Sequence, residues 1–507
     1  MASNPPYEAL LEQAITAHRA HDYETAKKLY LELIELSPNT AELHNNLATI
    51  YYRESNLEEA IKHYAKAVYL QPDYIDAHFN LGLLFLKLHK IPEAIKQFNN
   101  VIILQPSHIS AKTHLADLFL EENKLDKASL LYQEILFLQP ENTDVLNNQG
   151  VIFLKLHQLE NAMQCFNKIL TIDEENYSAR NNLAALYLQE NRYENAARHY
   201  QILLNKNTQD IEAHYNLGVS QMALGELNEA TTHFETVLES EQNHFDAICN
   251  LAAIYLKKAN IDQAISYYQR AYQIKPQDPL TNYMLSALTQ SDVPTNAPET
   301  YIQNLFDNYA GYYDKHVSEV LHYQAPMLLR KAILDYCSTI YSDNIFKFYN
   351  VLDLGCGSGL SGVAIRDLST KLTGIDLSKK MLDIARTKNC YDKLVLMDIE
   401  KYLLETNEMF DLIIAADIFV YIGDLATIFE TCKKKLQLNG LFAFSVEALS
   451  ENQHSEYVLQ KTARFAHGKQ YIEQLAKESL FEIKSFSEAT IRIQDNKPIT
   501  GYLVILG

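Results

Sequence analysis

The sequence predicts two architectures in one chain: an all-α superhelix of eight 34-residue repeats, then a doubly wound α/β domain. Three observations predict them. Alanine recurs every 34 residues through the first half, the register stops at a stretch holding two prolines, and an apolar strand then runs into a glycine-rich loop. A chain of 507 residues is too long for one ordinary core, so a division into parts is expected on size alone.

The repeats come first. Alanine stands at positions 26, 60, 94, 128, 162, 196, 230 and 264 without one insertion. Four residues after each is an aromatic: Tyr30, Tyr64, Phe98, Tyr132, Phe166, Tyr200, Phe234 and Tyr268. Twelve residues before each is a small residue: Ala14, Ala48, Gly82, Ala116, Gly150, Ala184, Gly218 and Ala252. Small residues let the two helices of a unit approach closely, and the aromatic is expected to fill the space between successive units. Prolines at 38, 72, 106, 140 and 276 close several units, where a fixed φ and a missing N–H suit a turn.

This three-position pattern resembles the tetratricopeptide (TPR) family over residues 7 to 278. The resemblance implies helical hairpins that stack into a superhelix with a concave groove, because one unit cannot bury its apolar face alone. Pro279 to Gln290, with apolar residues at helical spacing, suits a C-terminal cap, giving a repeat domain over 7–290. Two residues before the small position a further recurrence appears: Asn46, Asn80, Asn148, Asn182, Asn216 and Asn250, replaced by Glu12 and His114 in two units. An amide offers a donor and an acceptor to an extended backbone. Arrays with asparagine here look like peptide readers, which implies a protein or peptide segment in the concave groove. The same amides would also serve neighbouring helix ends.

The segment 291–300 has linker composition, and a new domain is expected over 301–507. It should open with helices Tyr301 to His316 and Tyr323 to Tyr341, then a strand Tyr349 to Leu354. Asp353-Leu354-Gly355-Cys356-Gly357-Ser358-Gly359 follows, and glycines there let the backbone turn sharply and approach a ligand closely. A helix from Leu360 and a strand Lys371 to Ile375 lead to Asp376, placed to accept hydrogen bonds from two ribose hydroxyls. Strand, loop, helix, strand and acid together specify a nucleoside cofactor.

That plan is shared by nicotinamide dinucleotides and S-adenosylmethionine (AdoMet), and three features favour AdoMet. The glycines read G-x-G-x-G, whereas a pyrophosphate site favours G-x-G-x-x-G. Asp353 ahead of them would repel a pyrophosphate but suits the cationic amino acid end of AdoMet. Asp398, after a third strand Lys393 to Met397, is placed with Ile399 to hold the adenine amino group, and Leu377 follows Asp376 on the cofactor side. The loop therefore resembles the Class I methyltransferases, which implies a Rossmann-like domain with a seven-stranded mixed sheet. Phe481 to Gln494 and Thr500 to Leu506, around Asp495-Asn496-Lys497-Pro498, fit its closing antiparallel hairpin. With Phe306-Asp307-Asn308-Tyr309-Ala310 and Arg464-Phe465-Ala466-His467, the whole order resembles a bacterial family of TPR-containing methyltransferases whose substrates are poorly defined.

Methyl transfer is an in-line displacement, so alignment in a dry pocket matters more than acid–base machinery. Asp417 ends the fourth strand, Phe410 to Ala416, where ligands sit in this topology. Tyr421 either faces the methyl or forms an aromatic wall. Arg464 and His467 are expected three apart on one helix face, the first to clamp a carboxylate, the second to take a proton from a hydroxyl or amine. Surface charges would fit them equally. Tyr309 and Tyr313 resemble tyrosines that cover AdoMet, and packing would account for them as well. Asn4-Pro5-Pro6-Tyr7 spells a motif of amide and adenine methylation, but it lies ahead of the first repeat; Ala416-Asp417-Ile418-Phe419 at the proper place lacks the prolines.

Composition sets the outer bounds. A net charge of -20, from 64 acidic and 44 basic residues, disfavours a nucleic-acid partner. Six scattered cysteines fit neither a zinc site nor a disulfide framework, so no metal is expected and the thiols read as reduced. Without a signal-like N-terminus or an apolar run long enough to span a bilayer, a cytoplasmic location is expected. Two functions stay in play: a methyltransferase guided by its repeats to an O or N acceptor on a protein, carrier or small molecule, and a TPR scaffold with a non-catalytic Rossmann-like domain.

Overall fold

The computed structural model describes residues 5–340, 347–450, 455–494 and 497–507, so Asn4, Tyr341, Asp495 and Asn496 lie outside the described residues. The chain divides into two compact units, Met1–His233 and Phe234–Gly507.

The first unit is helical throughout its described residues, from α1 (Pro5–Arg19) and α2 (Tyr23–Leu36) to α13 (Ile211–Leu224), and α14 (Leu227–Ser240) crosses into the second. Inside each hairpin the turn between helices passes through one left-handed residue: His21, Ser55, His89, Asn123, His157, Asn191 and Gly225. The next residue then donates back across the helix end, as from Lys124 N–H to the Phe119 carbonyl at 2.7 Å, closing a Schellman cap. Only one of these seven turns uses glycine. The small positions do sit at close contacts: a Cβ on Gly82 would lie 2.8 Å from the Phe98 ring, and one on Gly150 2.7 Å from Phe166. The aromatic thus packs on the small residue of its own hairpin and, as expected, also against the next unit, Phe98 sharing a buried cluster with Leu115 and Leu118 and Phe166 one with Leu183.

A second polar recurrence links helices across the hairpin. The rings of His44 and His63 share a hydrogen bond of 2.9 Å, those of His214 and His233 one of 2.8 Å, and Arg180 faces His199 at 3.4 Å. Burial, reinforced by the neighbouring His44, His214 or Arg180, pushes His63, His233 and His199 below the ordinary histidine value.

The second unit carries α15 (Phe245–Lys257), α16 (Ile261–Ile274) and α17 (Pro279–Thr289). α17 was expected to cap the array; in the structure its Tyr283, Met284, Ala287 and Leu288 share a buried cluster with Val420, Tyr421, Leu459, Ala463 and Phe465. The segment after it is not slack: Ala297 N–H donates to the Tyr421 carbonyl at 2.8 Å, and Asn296 bridges Ile422. The expected helix 301–316 is two helices, α18 (Glu299–Tyr309) and α19 (Tyr313–Glu319), joined by a tight turn, and α20 (Ala325–Ile340) follows.

The sheet then forms from β1 (Phe348–Leu354), β2 (Ser369–Asp376), β3 (Lys393–Leu396), β4 (Phe410–Ala415) and β5 (Leu436–Glu447), all parallel. β6 (Tyr457–Leu459) and β7 (Phe465–His467) make a separate hairpin, while β8 (Ile483–Gln494) and β9 (Lys497–Leu506) close the main sheet antiparallel, in the order β3-β2-β1-β4-β5-β9-β8. The intervening helices are α21 (Leu360–Ile365), α22 (Lys379–Thr387), α23 (Ile399–Glu405), α24 (Ala426–Lys435) and α25 (Lys469–Glu478). Central strands are buried on both faces, Val351 to Leu354 and Leu412 to Ala415, as helices on either side require. The seven-stranded mixed sheet is as expected. Arg464 and His467 are not on a helix: they flank the start and end of β7, because α25 begins only at Lys469. All six cysteines are free, and among the described residues no helix is long and apolar enough to cross a membrane.

The buried imidazoles of the first unit give a pH dependence with a definite sign. His199, pushed down to about 4 by burial and then by Arg180 and Arg198, takes up a proton more readily when the chain is unfolded, where its value is 6.5. Its contribution is complete above pH 6.5 and lost as pH falls through that interval to about 4. Thermal unfolding followed by circular dichroism from about pH 7.5 to about 4.5 should show a falling midpoint, with a shallower fall in His199→Gln.

Candidate functional site: the crevice above β1, β2 and β4

The loop leaving β1 turns through Gly355, Gly357 and Gly359, with φ of 66°, 53° and 93°. Each has its own constraint. A Cβ on Gly355 would lie 2.6 Å from Ile418, whereas one on Gly357 meets nothing within 4 Å and would project into open space. The Gly357 N–H donates to Asp376 at 2.8 Å, and the Ser378 N–H donates to the other Asp376 oxygen at 2.8 Å. One carboxylate therefore ties the β1 loop to the end of β2. Burial pushes Asp376 up to about 6, against the lowering effect of those two amides.

A cavity of about 380 Å³ opens above this loop. Of the residues singled out from sequence, Tyr309, Tyr313, Gly355, Gly357, Asp376, Leu377, Asp398, Ile399, Asp417, Tyr421 and Arg464 line it. Strand ends bring them together from positions as far apart as 309 and 464. Asp398 also caps α23, accepting from the Lys401 N–H at 2.9 Å. Gly359 lies behind the loop, where a Cβ would come 3.3 Å from Ala385.

Asp353 and His467 lie elsewhere. Asp353 is fully buried and accepts from the Tyr391 hydroxyl at 2.6 Å; that hydroxyl in turn accepts from the Gly362 N–H at 3.0 Å. Burial pushes Asp353 up to about 7, so its setting is that of a core carboxyl and not of a cavity wall. His467 is fully buried, with Nε2 3.0 Å from the Ile422 carbonyl, and burial pushes it down to about 4. It fastens the hairpin to the loop after β4 and does not reach the cavity.

The opening helices fold over the loop. Ser378 Oγ donates to Asp307 at 2.5 Å, Ser358 Oγ donates to Asp314 at 2.5 Å, and Lys388 pairs with Asp314 at 2.6 Å. These contacts set Tyr309 and Tyr313 on the cavity wall. Burial pushes the Tyr309 hydroxyl up to about 12, and the hydroxyl is hydrogen-bonded to His316.

Sequence reasoning missed Arg492. It lines the same cavity and is 1% exposed, with Nη1 paired to Asp417 at 3.0 Å and Nη2 to Glu447 at 2.6 Å. Asp417 itself is left-handed, with φ of 58°, and its N–H donates to Ser445 Oγ at 2.9 Å. The available signal was a charge inside an apolar strand run, Ile491-Arg492-Ile493.

In the first unit the asparagines turn their amides on the preceding repeat. Asn80 Nδ2 donates to Asn45 at 3.2 Å, Asn182 to Asn147 at 3.2 Å, and Asn148 to Asp117 at 3.2 Å. Asn46 accepts from Asn45 at 3.4 Å, and Asn216 is half-buried. Asn250, in the second unit, is half-buried as well.

Fold and crevice define a class, helical repeats joined to a Rossmann-like domain with a cavity at its strand ends. Comparison with known families narrows it. The methyltransferase domain family matches residues 352–444, TPR repeat families match 49–89, 79–143 and 113–177, and the middle TPR-like domain of cilia and flagella-associated protein 70 matches 181–293. The chain is a TPR-repeat protein with a Class I methyltransferase domain. Among curated relatives, the ubiquinone biosynthesis O-methyltransferase of Glaesserella parasuis is 26% identical over 131 residues, 23% of this chain and 56% of that protein. Its counterpart in Actinobacillus pleuropneumoniae serotype 7 is 30% identical over 104 residues, 19% of this chain and 44% of that one. The chain thus spans about half the length of the curated relatives it matches. Among solved structures, YrrB, a TPR protein with an unusual peptide-binding site, is 24% identical and covers 38% of this chain and 98% of its own, with a TM-score of 0.35.

Arg492 offers a direct test of the site's electrostatics. Replacing it with Met leaves Asp417 and Glu447 facing each other without a counter-ion, and should cost about 3–5 kcal/mol of stability. Urea unfolding of Arg492→Met against the native chain measures it; a loss under about 1 kcal/mol, the size of an exposed pair, would show the triad to be solvated.

Proposed function

We propose that the chain is an AdoMet-dependent methyltransferase whose repeats bind a protein or peptide segment. Residues 7–290 form the recognition array, 291–300 the connection and 301–507 the catalytic domain, working in the cytoplasm. The observation that carries the reading is Asp376, a buried carboxylate on the cavity wall beside a glycine whose missing side chain keeps the space open. A scaffold whose crevice had decayed has no reason to keep both.

AdoMet, when bound, supplies an electrophilic methyl group on a sulfonium. Asp376 holds the ribose hydroxyls with Leu377 beside it, Asp398 and Ile399 hold the adenine, and Gly355 and Gly357 let the backbone come close. Tyr309 and Tyr313 cover the site and exclude water. Asp417, Tyr421 and Arg464 form the acceptor side. His467, locked in the core, takes no part. The residues fit an acceptor aligned in a dry cavity, an O or N atom; the O-methyltransferase names of the curated relatives favour oxygen.

Calorimetry with AdoMet tests the cofactor assignment. The native chain should bind it, Asp376→Ala should bind at least about tenfold more weakly through loss of a charge-assisted contact, and native affinity should drop as pH falls below about 6, where Asp376 takes up a proton. No binding at neutral pH would return the chain to the scaffold reading. For the repeats, Asn148, Asn182 and Asn216 changed together to Ala should abolish capture of a peptide partner that the native chain retains in pull-down. Unaltered capture would assign these amides to the packing between repeats alone.

A further inference from the structure

We propose that Arg464 recognises a carboxylate carried by the methyl acceptor, an inference that rests on the cavity being the methyltransferase site proposed above. Arg464 sits in the turn between β6 and β7 and is one of the residues lining the cavity. Its Nη1 is shut off from solvent and has no hydrogen-bond partner among the described residues. Among the described residues no carboxylate forms an ion pair with it; its polar neighbour is the Tyr421 hydroxyl. A buried cation with an open N–H is costly unless something completes it.

The contrast with Arg492 shows what is missing. Both arginines line the same cavity, yet Arg492 is paired with Asp417 and Glu447, whereas among the described residues Arg464 forms an ion pair with no carboxylate. Asp376 and Asp398 lie at the ends of β2 and β3, while Arg492 lies on β8 with its partners Asp417 and Glu447, and β7, which follows Arg464, bridges the residue after β5. The acids proposed for the cofactor and Arg464 therefore lie toward different ends of the crevice. Between them, Leu305, Phe306, Ile418 and Ile422 make an apolar wall, suited to an acceptor with a hydrocarbon body.

Why a carboxylate follows from geometry and field. A planar guanidinium fork matches two coplanar oxygens. Asp417 and Glu447 act electrostatically on Arg464, and their field disfavours a doubly charged phosphate more than a singly charged carboxylate.

The test compares acids with their neutral amides on the full chain. Calorimetric titration uses benzoate against benzamide and hexanoate against hexanamide. Each acid should bind at least about tenfold more tightly than its amide, the scale of one charge-assisted hydrogen bond. Arg464→Met should erase the preference while AdoMet affinity stays within about twofold. Arg464→Lys, which keeps the charge and loses the fork, should shrink the preference at least about threefold and decides the matter if the Met variant unfolds. Equal binding of acid and amide by the native chain, absence of binding by both, or a preference that survives these substitutions overturns the proposal. If AdoMet fails to bind while the acid preference still depends on Arg464, the methyltransferase reading falls and the carboxylate site stands.

Discussion

Arg492 belongs to β8, the edge strand of the sheet, yet it is buried and pairs with Asp417 and Glu447, which follow β4 and end β5. Two carboxylates placed this deep repel each other and resist desolvation, and only a cation held between them makes the arrangement tolerable. The closing hairpin of the sheet is therefore more than a cover for an edge. It delivers the charge that lets this side of the crevice carry acids at all, next to an Asp417 that is left-handed just past the end of its strand. The opposite side rests on the amides that grip Asp376, so one face of the crevice is set by backbone and the other by a side chain.

This difference explains what the sequence made legible. The glycine loop, Asp376 and Asp398 act within a few residues of the strand each follows, so spacing along the chain was enough to find them. Arg492 acts across three sheet positions, and its one local signal, a charge between Ile491 and Ile493, does not say which acids it meets. Arg464 and His467 were misplaced for a related reason: a separation of three fits a helix face, but Arg464 precedes β7 and lines the cavity, whereas His467 is the last residue of that strand and lies in the core. Asp353 shows the limit from the other side. Its position ahead of the glycines was plain, while Tyr391, 38 residues further on, turned it into a core partner.

The repeats tell the same story in miniature. Their register was legible because the alanine, aromatic and small positions are contacts inside one hairpin and recur with it. The left-handed turn residues recur with equal regularity, but the positions hold His, Ser and Asn, and only Gly225 carries the usual signal for positive φ. Six of the seven turns accept a non-glycine residue there, so hairpin packing and the cap hydrogen bonds must outweigh a strain of about 1–2 kcal/mol at each.

Within the second unit the boundary drawn from composition has a different physical character. Tyr283 of α17 donates to the Ala463 carbonyl at 2.8 Å, and Gln290 donates to the Leu459 carbonyl at 2.9 Å. Both acceptors flank the turn that carries Arg464. The same turn is held from beneath by His467 on the Ile422 and Gly423 carbonyls, and the chain after α17 is hydrogen-bonded to Tyr421 and Gly423. Helix, connection, hairpin and the loop after β4 thus share one buried cluster, and a change in α17 cannot leave this wall of the cavity untouched. Proline-rich composition marked where the repeat register ends, which is a statement about sequence; where independent packing ends is decided by Tyr283 and its neighbours, and they place the last repeat helices with the sheet-bearing layers.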